Sequence, residues 1–299
     1  MRKGILVLFA CLFSLPFLAT ESDSSVVFRA SFLKHELQRY EISRAVYTLQ
    51  KGDTVSLERI RFIAEIYVMD STDAFYTLSW KFSKFSINTD DQQLKQLIAM
   101  AKPVEITYRI SKPGVLSEFL KWKEITTCLD EALPKVLAPY ISKSGAEAKA
   151  EVARIYEMRE TLETLMLRSV HQFHQVYGLG YTLGESVDVP TEVQSRFSSV
   201  PIKGIIRKKM IRIDKENHLA VLSTATFLDR NEFQKALSGY LQVDSIPITS
   251  LNQENTGGIV VDLSTGWILW SFDQREGRAG NAIYGEIIEI QPINETSNL

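Results

Sequence analysis

His171-Gln-Phe-His174 is the arrangement in this chain that comes nearest to metal chemistry. A spacing of three on a helix puts both imidazoles on one side, as zinc ligation needs. No third histidine, cysteine or carboxylate follows at helical spacing, and the glutamate of an HExxH signature is absent. The expectation is therefore no metal and no cofactor, with His171 and His174 as two half-exposed rings flanking an apolar stripe. Gly178-Leu-Gly180-Tyr-Thr-Leu-Gly184 has the glycines of a dinucleotide loop, but its last interval is one residue too long. It also follows a helix rather than a strand, so no helix N-terminus would face a pyrophosphate. Neither Gly-x-Ser-x-Gly nor a Walker loop occurs. A hydrolase could still assemble a triad from distant positions, with His35, His171, His174 and His218 as the available bases. Cys128 lies in a helical pattern without a local motif and reads as a buried structural thiol. Asp70, Asp73, Asp90 and Asp91 sit where turns and caps need carboxylates.

Lys203, Arg207, Lys208, Lys209 and Arg212 form a local basic run. On a regular strand Arg207 and Lys209 share one face while Lys208 and Arg212 share the other. That division suits a solvated rim strand better than a phosphate track. A net charge of −2 gives no global reason for nucleic-acid binding, so none is expected. Trp80, Phe82, Trp122, Trp267, Trp270 and Phe272 remain. Such aromatics fill cores, but they can also line a concave apolar site between a sheet and a covering helix. Trp80, Phe82, Trp122, Trp270 and Phe272 are the ligand-binding candidates on that second reading.

The elements that must position these residues begin with period-two alternation. Tyr40, Ile42, Arg44 and Val46 alternate with polar neighbours, as do Ile60 to Val68 and Tyr76 to Phe82. One buried and one solvated sheet face follow, and the short polar links predict antiparallel hairpins. A helix near residues 91–101 leads to a further strand, Val104 to Ile110. Lys112-Pro113-Gly114 then turns into an amphipathic segment that starts at Leu116, Phe119 and Leu120 and is expected to be helical up to Leu133. Pro134 and Pro139 bend or restart it. Ser144 and Glu147 match a capping box, opening a helix of some 31 residues that ends at Gly178. Such a helix, about 47 Å long, must lie across a sheet or project. Residues 178–202 read as irregular connection. Strands return at Ile205–Ile213, Leu219–Leu228, Ile259–Leu263, Trp267–Phe272 and Ile283–Ile290, with a short helix after an Asp229 cap. The fold class is α+β: a long-stranded, curved, mostly antiparallel sheet with a long helical insertion covering one face.

Met1 to Ala19 reads as a signal peptide, with basic Arg2 and Lys3, an apolar run from Ile5 and the polar exit Glu21-Ser-Asp-Ser-Ser25. Its 15 apolar-run residues, Pro16 among them, fall short of the roughly 20 that a membrane span needs. Cleavage near Ala19 is expected, leaving no transmembrane span in the mature chain and a periplasmic or secreted location. Cys11 leaves with the leader, so Cys128 has no disulfide partner within the chain. An apolar content of 45% with 23% charged residues is ordinary globular composition and argues against disorder. Residues 20–299 are read as one mature domain, with a strand block at 34–111, a helical insertion at 115–177 and a second strand block at 203–293.

The strands of 37–83, Ser111-Lys112-Pro113-Gly114-Val115 leading to Lys121-Trp122-Lys123-Glu124-Ile125, and Val261-Asp262-Leu263-Ser264-Thr265-Gly266-Trp267 together resemble uncharacterised exported bacterial proteins. That resemblance implies no activity. A looser fold-level analogy is to periplasmic lipoprotein carriers, where helices close a curved sheet over an apolar cavity. The expected function is non-enzymatic: an exported envelope protein that binds an apolar ligand or an envelope protein partner. The alternatives are a structural or interaction module of the envelope and a hydrolase with a dispersed site.

Overall fold

The computed structural model describes residues 24–141, 145–195, 198–241, 253–279 and 282–293. The leader with Cys11, Ser144 of the expected capping box, and the Asn294-Glu-Thr296 triplet lie outside these residues. Among the described residues thirteen strands and four α-helices follow in order: β1 (Ser25–Val27), β2 (Leu37–Gln50), β3 (Asp53–Ser71), β4 (Phe75–Asn88), α1 (Gln92–Ala99), β5 (Val104–Ser111), β6 (Leu116–Lys121), α2 (Leu133–Ile141), α3 (Ala146–His174), β7 (Gly180–Thr182), β8 (Ser186–Ser195), β9 (Ser198–Asp214), β10 (Leu219–Leu228), α4 (Arg230–Leu241), β11 (Gln253–Asp262), β12 (Ile268–Ala279) and β13 (Ala282–Pro292).

Eleven strands form one sheet in the order β6-β5-β4-β3-β2-β13-β12-β11-β10-β9-β8, and every neighbouring pair is antiparallel. The last strand pairs with β2, so the two strand blocks complete a single sheet across the join Ile42↔Ile290. The sheet does not close on itself. Its two edges carry features that discourage strand addition: β6 has two register shifts against β5, and β8 carries Pro190, which has no N–H to donate.

The alternation of β2–β5 resolves as expected. Tyr40, Ile42, Ile60, Phe62, Ile66, Leu78, Trp80, Phe82, Ile106 and Tyr108 are buried on the helix-side face, while Arg39, Glu65, Lys81 and Arg109 point to the other. The 29-residue α3 lies across that face, burying Ile155, Leu162, Leu165, Met166, Val170 and Phe173. Asp91 caps α1 by accepting from the Gln93 and Leu94 amides at 2.8 and 3.1 Å. The cap position of α3 is Gly145, with no side-chain cap bond.

Three expectations fail on tertiary pairing. Residues 116–121 form strand β6, not a helix. Gly114, at φ +102°, closes a tight turn in which Ser111 N donates to Val115 O, and the chain returns alongside β5 with Phe119 opposite Tyr108. Apolar residues three and four apart satisfied a helical template that the hairpin overrides. The helical insertion therefore begins with a strand. Second, residues 178–202 are not irregular: β7 pairs with β1, and β8 pairs with β9. Third, the basic run of β9 is divided differently. A register shift places Met210 opposite Leu222 but Arg212 opposite Val221, so Ile211 is the extra residue. That bulge returns Arg212 to the solvent face with Arg207 and Lys209, leaving Lys208 alone on the helix side, 3% exposed.

Candidate functional site

Trp80 and Phe82 lie at the centre of the helix-covered core, both wholly buried. Their rings stack with centroids 5.8 Å apart, and Phe173 of α3 meets Trp80 edge-on at 5.5 Å. Tyr40, Phe62 and Tyr108 complete the cluster. This region is filled. Trp270 and Phe272 sit on the opposite face of the sheet, because Ser271 between them points to the helix and accepts from Gln172 Nε2 at 2.6 Å. Trp270 donates to Glu289 Oε1 at 2.8 Å, and Phe272 lies over Gly258, where a Cβ would come within 2.6 Å of its ring. Trp122 follows edge strand β6 and is 43% exposed. The five aromatic candidates therefore occupy three separate places: Trp80 with Phe82, Trp270 with Phe272, and Trp122 by itself.

His171 and His174 also part company. His174 is buried beside Tyr108, Phe173 and Tyr177. Its Nδ1 lies 3.3 Å from the Gly114 carbonyl, which can only accept, so Nδ1 carries the proton. Nε2 then accepts from the Tyr108 hydroxyl at 2.9 Å. Burial, assisted by neighbouring His171, pulls the His174 pKa down to about 3 against the Gly114 hydrogen bond. His171 is exposed, its ring meeting that of Phe119 at 5.8 Å, so neither histidine is the half-exposed ring that the sequence suggested. With both His174 nitrogens committed to the core, the two rings do not form a metal pair. Burial also pushes the Cys128 thiol up to about 12, which makes it a poor nucleophile.

The helix-side face holds polar groups that sequence reasoning passed over. Lys208 reaches the Gln175 carbonyl at the C-terminus of α3, where a cation complements the helix dipole, and burial lowers its pKa to about 8. Where α3 crosses β12 and β13, three arginines meet two carboxylates. Arg44 Nε lies 2.5 Å from Glu286 Oε1. Arg168 spans Glu286 Oε2 at 3.1 Å and Asp273 Oδ2 at 3.2 Å. Arg275 reaches Asp273 at 3.5 Å, and its buried Nε has no hydrogen-bond partner among the described residues. Burial alone would raise Glu286; Arg168 and Arg44 outweigh it and hold the carboxyl at about 2. The sequence signal for this cluster was a charge at a core-facing position: Arg44 interrupts an otherwise apolar register.

Beyond this cluster the same face changes character. The register line Val189–Ile206–Thr226 continues the helix-side face outward, as does Val187–Lys208–Thr224. Val187, Val189, Ile206, Thr224 and Thr226 are all half-exposed, unlike their fully buried counterparts on β2–β5. Helix α3 packs on β12 and β13, inward of this stretch, and α4 contacts β9. A small cleft elsewhere, between Val26–Arg29 and the Val261–Gly266 turn, has a volume of about 30 Å³, room for about two waters at most.

No family model matches the chain, and no curated protein matches it. Ten solved chains do. One, described as lipid–protein interactions in lipovitellin, is 9% identical with a TM-score of 0.41. The match covers 88% of this chain and 25% of that one, so this protein spans about a quarter of that neighbour's length, and the overlap is too loose to equate the two folds.

Proposed function

We propose that this protein is an exported, non-enzymatic binder of a chain-like apolar ligand, which lies on the helix-side face of β8–β10. The observation that carries this reading is that the sheet is wider than the helices that seal it. Over β2–β5 the face is filled by α1–α3; over β8–β10 the same face presents Val187, Val189 and Ile206 half-exposed. A half-exposed apolar surface that continues a sealed core is a surface on which an apolar ligand gains by being covered. The leader-like Met1–Ala19 supports a role outside the cytoplasm, where apolar molecules need a carrier through water.

Adjacent isoleucines on β9 provide the test. Ile206 faces the helix side, whereas Ile205, 41% exposed, faces the opposite side with Phe227. The neutral fluorophore N-phenyl-1-naphthylamine should bind the purified protein saturably. Ile206→Glu should weaken it by about tenfold or more, the cost of a charge placed against an apolar ligand, while Ile205→Glu should leave it within about twofold. Absence of saturable binding, or equal losses in both variants, refutes the proposal.

A further inference from the structure

We infer that the arginine cluster beneath α3 binds one acid group, a carboxylate or phosphate oxygen pair, and that this group is the head of the apolar ligand. The tail rests on the function proposed above; the acid site does not. Among the described residues three guanidiniums face two carboxylates, leaving one positive charge uncompensated where α3 covers the sheet. Glu58 is the next carboxylate along this face, opposite Val46, and among the described residues it pairs with none of the three arginines. An uncompensated, part-buried cation is unfavourable unless an anion completes it. Arg275 is the member left short: its one carboxylate contact is long, and its Nε donor is buried without a hydrogen-bond partner among the described residues.

The cluster is also reachable. The Arg275 side chain keeps 34% of its surface, so the site is a recess rather than a sealed core. Two residues further along β12 on the same face is Gly277, above which a Cβ would meet nothing within 4 Å. Tyr284 stands directly opposite Gly277 and is 54% exposed. A planar guanidinium that is short of acceptors, on a side chain still partly exposed two residues from the open space above Gly277, suits an acid group attached to an apolar body. Arg275 lies opposite buried Asn255 on β11, and beyond β11 the same face carries Thr226, Ile206 and Val189, so the acid site borders the inner side of the proposed apolar face.

The test compares palmitate, hexadecanol and inorganic phosphate on the purified protein and on Arg275→Gln and Arg275→Lys. Palmitate and hexadecanol share a chain and differ in the acid. Wild type should prefer palmitate by about tenfold to a hundredfold, the effect of one charge-assisted bidentate contact. Arg275→Gln should remove that preference, and Arg275→Lys should recover only part of it, since the charge returns without the fork. Thermal melting of each variant without ligand separates loss of fold from loss of binding. If Arg275→Gln fails to fold, the wild-type preference decides by itself. Equal binding of palmitate and hexadecanol by wild type overturns the acid site and leaves the apolar reading standing. Phosphate raising the melting temperature of wild type but not of Arg275→Gln, with neither amphiphile bound, keeps the acid site and overturns the apolar reading. No response to palmitate or phosphate overturns the inference.

Discussion

Acidification from pH 7.5 to 5 should destabilise this protein, partly through one residue, His174. In the folded chain its imidazole is neutral, with Nδ1 donating to Gly114 O and Nε2 accepting from Tyr108, and its pKa is held down to about 3 by burial. In the unfolded chain it takes the ordinary value of 6.5. The unfolded state therefore binds the extra proton between these values, so stability is present above about pH 6.5 and is lost as pH falls. At pH 5 the unfolded histidine is some 1.5 pH units below its pKa and the folded one is still neutral, which costs about 2 kcal/mol. Glu286 does not confuse the measurement. Its stabilisation, drawn from Arg168 and Arg44, is lost only as pH falls from 4.5 toward about 2. His171 is also lowered by burial and adds a contribution of the same sign. Urea unfolding of wild type and His174→Gln at both pH values isolates the residue. The variant should be less stable at pH 7.5, having lost a fitted ring, yet should lose about 2 kcal/mol less than wild type on acidification. Identical losses in the two proteins would show that His174 is not held neutral in the core, and the assignment of its hydrogen bonds would fall with it.

Two further outcomes follow from the placement of the aromatic and thiol candidates. Trp80→Ala should cost about 3–5 kcal/mol in urea unfolding as a large core cavity opens, whereas Trp122→Ala at the exposed edge should stay within about 1 kcal/mol; comparable losses would refute the division of these tryptophans into core and surface. Cys128, with its thiol pushed up to about 12, should react with a colourless-to-yellow disulfide reagent only as fast as the protein unfolds, and prompt stoichiometric reaction under native conditions would show that it is accessible.

Much of β2–β5 is legible without coordinates, because strict alternation dictates which side chains share a face whatever the sheet packs against. Tyr40, Ile60, Trp80 and Ile106 are buried together as the pattern requires. The long helix is equally legible from Ile155, Leu162, Leu165 and Phe173, and its length already implied that it must cross a sheet. The cap at Asp229 is also local: its carboxylate accepts from the Asn231 and Glu232 amides at 3.0 and 2.9 Å. The failures share a cause. Segment 116–121 became a strand because β5 was there to pair with, and β8 formed because β9 offered it a ladder. One bulged residue, Ile211, reversed the expected partner of Arg212, since a single insertion flips every later side chain to the other face.

The candidate site divides along the same line. Local sequence identified histidines and aromatics, and it placed Arg44 in the alternating register of β2 without reading its charge as a signal. It could not bring Arg44, Arg168, Asp273, Arg275 and Glu286 together, because these lie up to 242 residues apart and meet only when β13 pairs with β2 and α3 is laid over the join. Nor could it separate Trp80 from Trp270, which are alike in sequence context and lie on opposite faces. The sequence by itself determined the periodicities, the caps and the chemical types present, because those depend on neighbours along the chain. The tertiary structure alone decided which strand neighbours which, which face the helices seal and which charges are left short of a partner, because those depend on contacts that the chain makes only once it has closed on itself.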